Sequence, residues 1–431
     1  MPDFNITKGS SINDLDPEPE KPKPKVRKVR KVKKTKAPAG TPSPEPRSKP
    51  EPERKESESW SGAALPGGAI PDIKSELDIL GKGTGAIRFV DKADSIIVPT
   101  ILPGFNRAIR TGGAPMNCIA AIHGPSKGGK TAFCLGLMRS FQLQAHFGVY
   151  IDAEHTLDKT FVSHCGVDPE QMEYVAPLTY EETTSKVEKY INNFRAGRDK
   201  GNIHPNRCLL FVVDSINKLV PENELKELSE VGKGYPLRAL MNTVWMDRLT
   251  PIVGSLPILF VVLAHEKVKL DAGIFEKKYR VKGGESLIYD STMVIRVQVV
   301  GTKKRTVSGK KVVVAQICQG IIEKNKVGVC ADRFRFVMGQ GRGGYPIGFD
   351  YAEQIIEEAK LRGENSPIVR GTGGIWRHNL LPDGRIKGDA AFVDWLRTRP
   401  EAVDSMIAEL NDTAIEAVVS DDSEEDEDSD E

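Results

Sequence analysis

The residues whose spacing can do chemistry begin with Gly124-Pro125-Ser126-Lys127-Gly128-Gly129-Lys130-Thr131, a G-x-x-x-x-G-K-T string. It lies between a short apolar run (CIAAIH) and a helix-like segment (TAFCLGLMRSF). Glycines in such a string let backbone N–H groups turn inward around a β-phosphate, at a helix N-terminus whose dipole favours anions. Lys130 can then reach the β- and γ-phosphates, and the Thr131 hydroxyl can ligate Mg2+. A loop of this kind needs an acid at the end of a neighbouring buried strand. Leu209-Leu-Phe-Val-Val-Asp214 supplies one, and a carboxylate ending so apolar a run is costly unless it meets a cation or hydrogen-bond donors. A third run, Val149-Tyr-Ile151, ends in Asp152-Ala-Glu154-His155. Glu154 is the better candidate for polarising an attacking water, although alone it reads equally well as a surface acid.

These groups need strands that end together. Cys118–His123, Gly148–Ile151, Cys208–Val213, Ile258–Leu263 and Met293–Val300 have the length and near-continuous hydrophobicity of strands covered on both faces. Helix-like segments alternate with them at Thr131–Ala145, Tyr180–Ala196 and Leu237–Leu249. That alternation predicts an α/β fold with a mainly parallel sheet flanked by helices. The expected layout is a disordered Pro-rich basic arm over 1–65 and a linker with a short helix (71–80) over 66–99. The core follows over 100–342, then a small α/β module over 343–410 and a disordered acidic tail over 411–431. No repeat with a period of 20 to 50 residues is evident.

Charge placement matters more than its sum. The chain has 431 residues, with 61 basic against 60 acidic side chains. Residues 1–60 hold 15 basic and 10 acidic groups, the basic ones crowding into KPKPKVRKVRKVKKTK (Lys21–Lys36), while nine of the last eleven residues are acidic. Both ends repel themselves and have little to bury. The body between them is mildly basic, so near-neutrality does not exclude a nucleic-acid partner. The longest apolar stretch, Leu256–Ala264, is far short of the roughly 20 residues a membrane helix needs, so no membrane partner is expected. Six scattered cysteines without a C-x-x-C pair read as reduced thiols in an intracellular setting.

Taken together, GPSKGGKT, YIDAEHTLD, LLFVVDSINKL, ILFVVLAH, KGGESLIYDST and IEKNKVGV resemble the RecA recombinases, including the phage UvsX-type members, over about residues 70–410. The resemblance implies a RecA-type P-loop ATPase core that uses ATP and Mg2+, with Glu154 as the catalytic glutamate and Asp214 as the Walker B aspartate. It implies adenine contacts at Asp158 and Phe161. Lys324 and Lys326 would reach the γ-phosphate of a neighbouring subunit, and Tyr289 would pack across that interface. His265 stands where the family usually has a glutamine γ-phosphate sensor; both side chains can donate to phosphate. From spacing alone, Lys324 and Lys326 read as an exposed basic turn, and His265 as a strand-end histidine.

Two segments look like loops projecting toward a filament axis. The first, Glu222–Arg238, carries Lys233 and Arg238. The second, Glu266–Gly284, carries Lys267, Lys269, Lys277, Lys278, Arg280 and Lys282, interleaves Phe275 and Tyr279, and ends in Gly283-Gly284. Basic groups neutralise phosphates without reading sequence, and aromatics stack on bases, whereas such a run elsewhere is usually a solvated charged loop. Arg377, His378, Arg385 and Lys387 mark the small module as a candidate for gathering duplex DNA.

The implied activity is ATP-dependent filament formation on single-stranded DNA, with pairing to a homologous duplex and strand exchange. Single-strand-binding and loading proteins are expected partners. A hexameric helicase on the same core, or a mediator paralogue without strand exchange, are the competing readings. The setting implied is the cytoplasm or nucleoid of a bacterium or phage-infected host, or a nucleus if the basic arm is an import signal.

Overall fold

The computed structural model describes residues 96–226, 235–268, 279–281, 286–328 and 332–424. The basic arm, the helix expected at 71–80, Lys233, Lys269, Phe275, Lys277, Lys278, Lys282, Gly283, Gly284 and the end of the acidic tail lie outside them.

In chain order the strands are β1 (Ile97–Val98), β2 (Ala114–Pro115), β3 (Cys118–Gly124), β4 (Phe147–Asp152), β5 (Glu173–Val175), β6 (Leu209–Asp214), β7 (Ile258–Val268), β8 (Tyr279–Val281), β9 (Met293–Val307), β10 (Lys310–Asn325), β11 (Arg333–Gln340), β12 (Ile347–Phe349), β13 (Val369–Gly371), β14 (Ile375–Arg377) and β15 (Arg385–Lys387). The helices are α1 (Pro103–Ala108), α2 (Lys130–Leu143), α3 (Lys159–His164), α4 (Tyr180–Asp199), α5 (Glu222–Lys226), α6 (Tyr235–Gly254), α7 (Ser286–Asp290), α8 (Tyr351–Arg362), α9 (Asp389–Arg397) and α10 (Pro400–Glu424).

One large sheet organises the chain in the order β12-β11-β10-β9-β3-β7-β6-β4-β5. From β9 to β5 all neighbours run parallel, as the continuous apolar runs predict; β10, β11 and β12 extend it antiparallel. Side chains alternate across the strands. Ala120, Ile122, Leu210 and Val212 face one core with α2, whereas Ile119, Ala121, Leu209, Phe211 and Val213 face a second core with α4 and α6. Helices on both faces bury β3 and β6 along their whole length, which is why these runs show no polar alternation in sequence.

Five expectations need correction. Arg238 is not in a loop: α6 begins at Tyr235, and Arg238 Nε donates to Glu224 Oε2 of α5 at 2.8 Å. A favourable helix pattern and a nearby acid outweigh the glycines read as loop punctuation. The second loop begins as sheet, because β7 runs on to Val268 and β8 pairs back on it antiparallel, with Glu266 opposite Val281 and Lys267 opposite Arg280. Tyr279 turns inward rather than toward solvent, its hydroxyl donating to the Glu323 carboxylate.

His378 is the fourth. It is buried, with Nε2 2.8 Å from Glu409 Oε2 of α10. The C-terminal part starts inside the large sheet, because β12 pairs with β11; its own core gathers Ile355, Ile356, Trp376, Phe392 and Leu396 from α8, α9 and the β13-β14-β15 sheet. Helix α10 runs on to Glu424, past the point where a disordered tail is expected.

Helix α2, which carries the phosphate-loop lysine, is anchored by Phe133. This ring is fully buried, with centroids 5.3 Å from Phe105 and 5.2 Å from Phe334. Phe133→Ala is expected to lower unfolding stability by about 3–5 kcal/mol, measured by denaturant titration; a loss below about 1 kcal/mol would show that the anchor is dispensable.

Candidate nucleotide site and adjoining hairpin

The parallel strands β3, β4, β6 and β7 end at the same edge, and their last residues form the site. At the end of β3, Gly124 has φ +153°, and a Cβ there would lie 2.0 Å from Val297 O. Gly129 caps α2 in the left-handed region (φ +98°), where a Cβ would meet Cys318 Sγ at 2.8 Å. Only glycine fits either position. No side chain caps α2 and no acid lies in its first turn, so its first N–H groups face the cleft. Lys130 lies folded back, Nζ donating to Gly124 O at 3.0 Å and Pro125 O at 2.9 Å. Burial lowers its pKa, against the nearby Asp214 and Glu154 charges.

Strand β6 delivers Asp214 to this cradle. Its Oδ2 accepts from Thr131 Oγ1 at 2.8 Å and from Tyr150 Oη at 2.7 Å. Burial still raises the Asp214 carboxyl above its ordinary range despite both donors. A buried acid in that condition, beside a hydroxyl and a glycine cradle, is a fit for a divalent cation, which would supply the missing counter-charge. Tyr150 precedes the acidic string by two residues and faces the same side as Asp152. Its role escapes sequence reading because a tyrosine inside an apolar run reads as core.

Asp152 shapes the turn that follows. Its carboxylate accepts from the backbone N–H of Glu154 (3.1 Å), Thr156 (2.9 Å) and Leu157 (2.8 Å). Glu154 is thereby aimed at the end of β7, where its Oε1 lies 2.6 Å from His265 Nε2 and accepts from Ser215 Oγ at 2.9 Å. Asn217 Oδ1 accepts from His265 N at 2.7 Å, fixing the strand end. Asp152, Ser215 and Asn217 flank the two acidic strings, and that adjacency was their only signal in sequence.

Ser126, Lys127, Gly128, Gly129, Lys130, Thr131, Glu154, Phe161, Asp214 and His265 line one open cleft of about 440 Å³, closed on its far side by Gln316, Met338, Gln340 and Ile347. Asp158 does not join that lining; it caps α3, accepting from Phe161 N at 3.0 Å. Lys324 and Lys326 lie elsewhere. Lys324 is level with Val294, which pairs with Ala121 at the middle of β3, and Lys326 N donates to Thr292 O nearer its amino end, so neither lies at the strand end that forms the cradle. Lys324 Nζ meets the carbonyls of Ile288 (2.9 Å) and Tyr289 (2.7 Å). Tyr289 is 69% exposed.

A sequence model of the RecA N-terminal domain matches residues 78–343, more than half of the chain. The chain belongs to the RecA family. Protein RecA of Mesoplasma florum is 26% identical over 336 residues, covering 77% of this chain and 91% of that relative. Protein RecA of Symbiobacterium thermophilum is 26% identical over 310 residues (71% and 79%), and that of Haemophilus ducreyi 25% over 317 residues (72% and 76%). The family match spans all the strands that bring Lys130, Glu154, Asp214 and His265 to one edge. In this RecA-family chain no described helix is long and apolar enough to cross a membrane.

Burial pushes the Glu154 carboxyl up, but the hydrogen bonds from His265 and Ser215 outweigh it and hold it below its ordinary 4.5. A depressed folded pKa stabilises the fold above the unfolded value and loses that contribution as pH falls through the folded one. Thermal melts of wild-type and Glu154→Gln protein are expected to differ by on the order of 2 °C near neutral pH and to converge as pH falls below 4.5 and through the folded pKa. A gap that persists unchanged into acid would mean that Glu154 is not an ionised, paired group.

Proposed function

We propose that this chain is an ATP-dependent recombinase that forms filaments on single-stranded DNA, pairs it with a homologous duplex and exchanges strands. The observation that carries the reading is that the sheet edge holding Lys130, Asp214 and Glu154 also launches the β7–β8 hairpin, with His265 at the junction. Lys267 and Arg280 stand exposed and opposite each other on that hairpin, as groups that neutralise phosphates would. Lys233, Lys269, Phe275, Lys277, Lys278, Lys282, Gly283 and Gly284 complete the proposed DNA contacts. Arg377, Arg385 and Lys387, exposed on one face of the small sheet, are proposed to gather duplex.

ATP is the proposed substrate, with Gly124, Pro125, Ser126, Lys127, Gly128, Gly129 and Lys130 around its phosphates and Phe161 and Asp158 toward its base. Thr131 and Asp214 would hold Mg2+, which when bound offsets the phosphate charge. Glu154 accepts the proton of the attacking water, and the Ser215 hydroxyl holds its carboxylate for that task. His265 senses the γ-phosphate, a contact that exchanges its Glu154 partner for an anion. Lys324 and Lys326 cannot reach the cradle of their own chain, and their placement suits a cation supplied to a neighbour's nucleotide. Leu237, Leu240 and Val244, exposed at helical spacing on α6, and the exposed Tyr289 offer apolar surface for a second copy to cover.

The deciding experiment is strand exchange with homologous and heterologous duplex, with electron microscopy of the DNA complex. Filaments and homology-dependent exchange are expected; rings with unwinding would indicate a helicase, and DNA binding with neither activity a mediator. Lys130→Ala is expected to abolish ATP-dependent filaments. Glu154→Gln should bind ATP yet hydrolyse it about 100-fold or more slowly, scored by phosphate release; near-normal turnover would remove Glu154 from the reaction.

A further inference from the structure

Behind the phosphate cradle, five side chains from five strands meet in a cluster that no step of hydrolysis uses. His123, the residue before Gly124, has a side chain 1% exposed; its Nδ1 lies 2.9 Å from Glu266 Oε1 and its Nε2 3.4 Å from Glu323 Oε2. The second is an ion-pair distance, longer than a good hydrogen bond. Nε2 has no hydrogen-bond partner, but a carboxylate faces each nitrogen, an arrangement that suits the imidazolium better than either neutral tautomer. Burial opposes that charge, but the two glutamates outweigh it, so the net shift of His123 is upward. Arg296 grips Glu266 with Nε at 2.7 Å and Nη2 at 3.2 Å, and its guanidinium stands 4.2 Å from the Tyr279 ring centroid. The Tyr279 hydroxyl closes the circuit by donating to Glu323.

The positions of these residues are informative. His123 adjoins the cradle, Glu266 follows His265, Tyr279 opens the return strand of the hairpin, and Glu323 precedes Lys324. Glu323 also sits at a register shift between Ile322 and Lys324, a bulge of the kind that re-aims a side chain. Neighbouring residues on a strand face opposite sides, so His265 reaches toward Glu154 while Glu266 reaches back to His123.

We propose that His123 is a positioning residue: it clamps Glu266 and Glu323, and so ties the base of the β7–β8 hairpin to the strand that carries the phosphate cradle. The inference rests on the reading of the chain as a nucleotide-dependent DNA-binding protein and assigns the link between its two sites. A movement of His265 toward a phosphate displaces Glu266 against His123, and the paired charges hold or break as a unit rather than stretch. Without His123, two buried carboxylates lose the cation between them and the hairpin base no longer follows the cradle.

The full-length protein is titrated with a fluorescent oligodeoxythymidine in ADP and in a non-hydrolysable ATP analogue, and separately with a fluorescent ATP analogue without DNA. His123→Gln is expected to keep nucleotide affinity within about threefold of wild type. It is expected to lose about tenfold of the gain in DNA affinity that the ATP analogue gives over ADP, the size of one charge-assisted hydrogen bond. Tyr279→Phe, which deletes one hydroxyl and no charge, should lose part of the same gain, and it alone decides the matter if His123→Gln does not fold. An undiminished gain in the variants overturns the inference, as does an equal loss of DNA affinity in both nucleotides, the mark of a merely structural role. A wild-type protein with no nucleotide-dependent gain overturns instead the functional reading beneath it.

Discussion

A carboxylate at the end of a strand that is apolar on both faces must be met by something, and most of the site follows from that requirement. Asp214 meets a threonine and a tyrosine hydroxyl, Asp152 three backbone N–H groups, Glu154 a histidine and a serine, and Glu266 a histidine and an arginine. Each partner comes from another strand, from the turn after it or, for Thr131, from the first turn of α2. Satisfying the acids therefore also sets the spacing of the strand ends. Asp214 is the exception, because its donors do not fully offset its burial.

The same requirement separates what could be read in the sequence from what could not. The runs that became β3, β4, β6 and β7, and the helix after the glycines, are marked by local composition, and the acids at their ends are marked by contrast with it. Pairing across the sheet leaves no such mark. Thr131 and Asp214 are 83 positions apart, and Glu154 and His265 are 111 apart. Glu154 and His265 were singled out separately, yet nothing in either string says that they touch.

Where the local signal misled, a distant partner had decided the outcome. Tyr279 stands in a basic, glycine-bounded stretch that reads as a solvent loop, but Glu323 lies 44 positions on and draws its hydroxyl inward. His378 stands among surface arginines and is drawn down onto Glu409. Arg238 follows a glycine-rich stretch yet opens a helix beside Glu224. In each case one polar contact reverses the direction in which a side chain would face on composition alone.

The folded-back Lys130 has a consequence for the exchange of anions at this loop. Its ammonium is held by the carbonyls of its own loop, Gly124 and Pro125, so an arriving anion exchanges one set of hydrogen bonds for another rather than meeting a bare charge. The exchange runs equally well in reverse. When an anion departs, the lysine has a resting berth within the loop, and the emptied site neither strands a buried cation nor has to collapse to cover it. Departure of an anion is eased by the protein's own backbone acting as the replacement ligand.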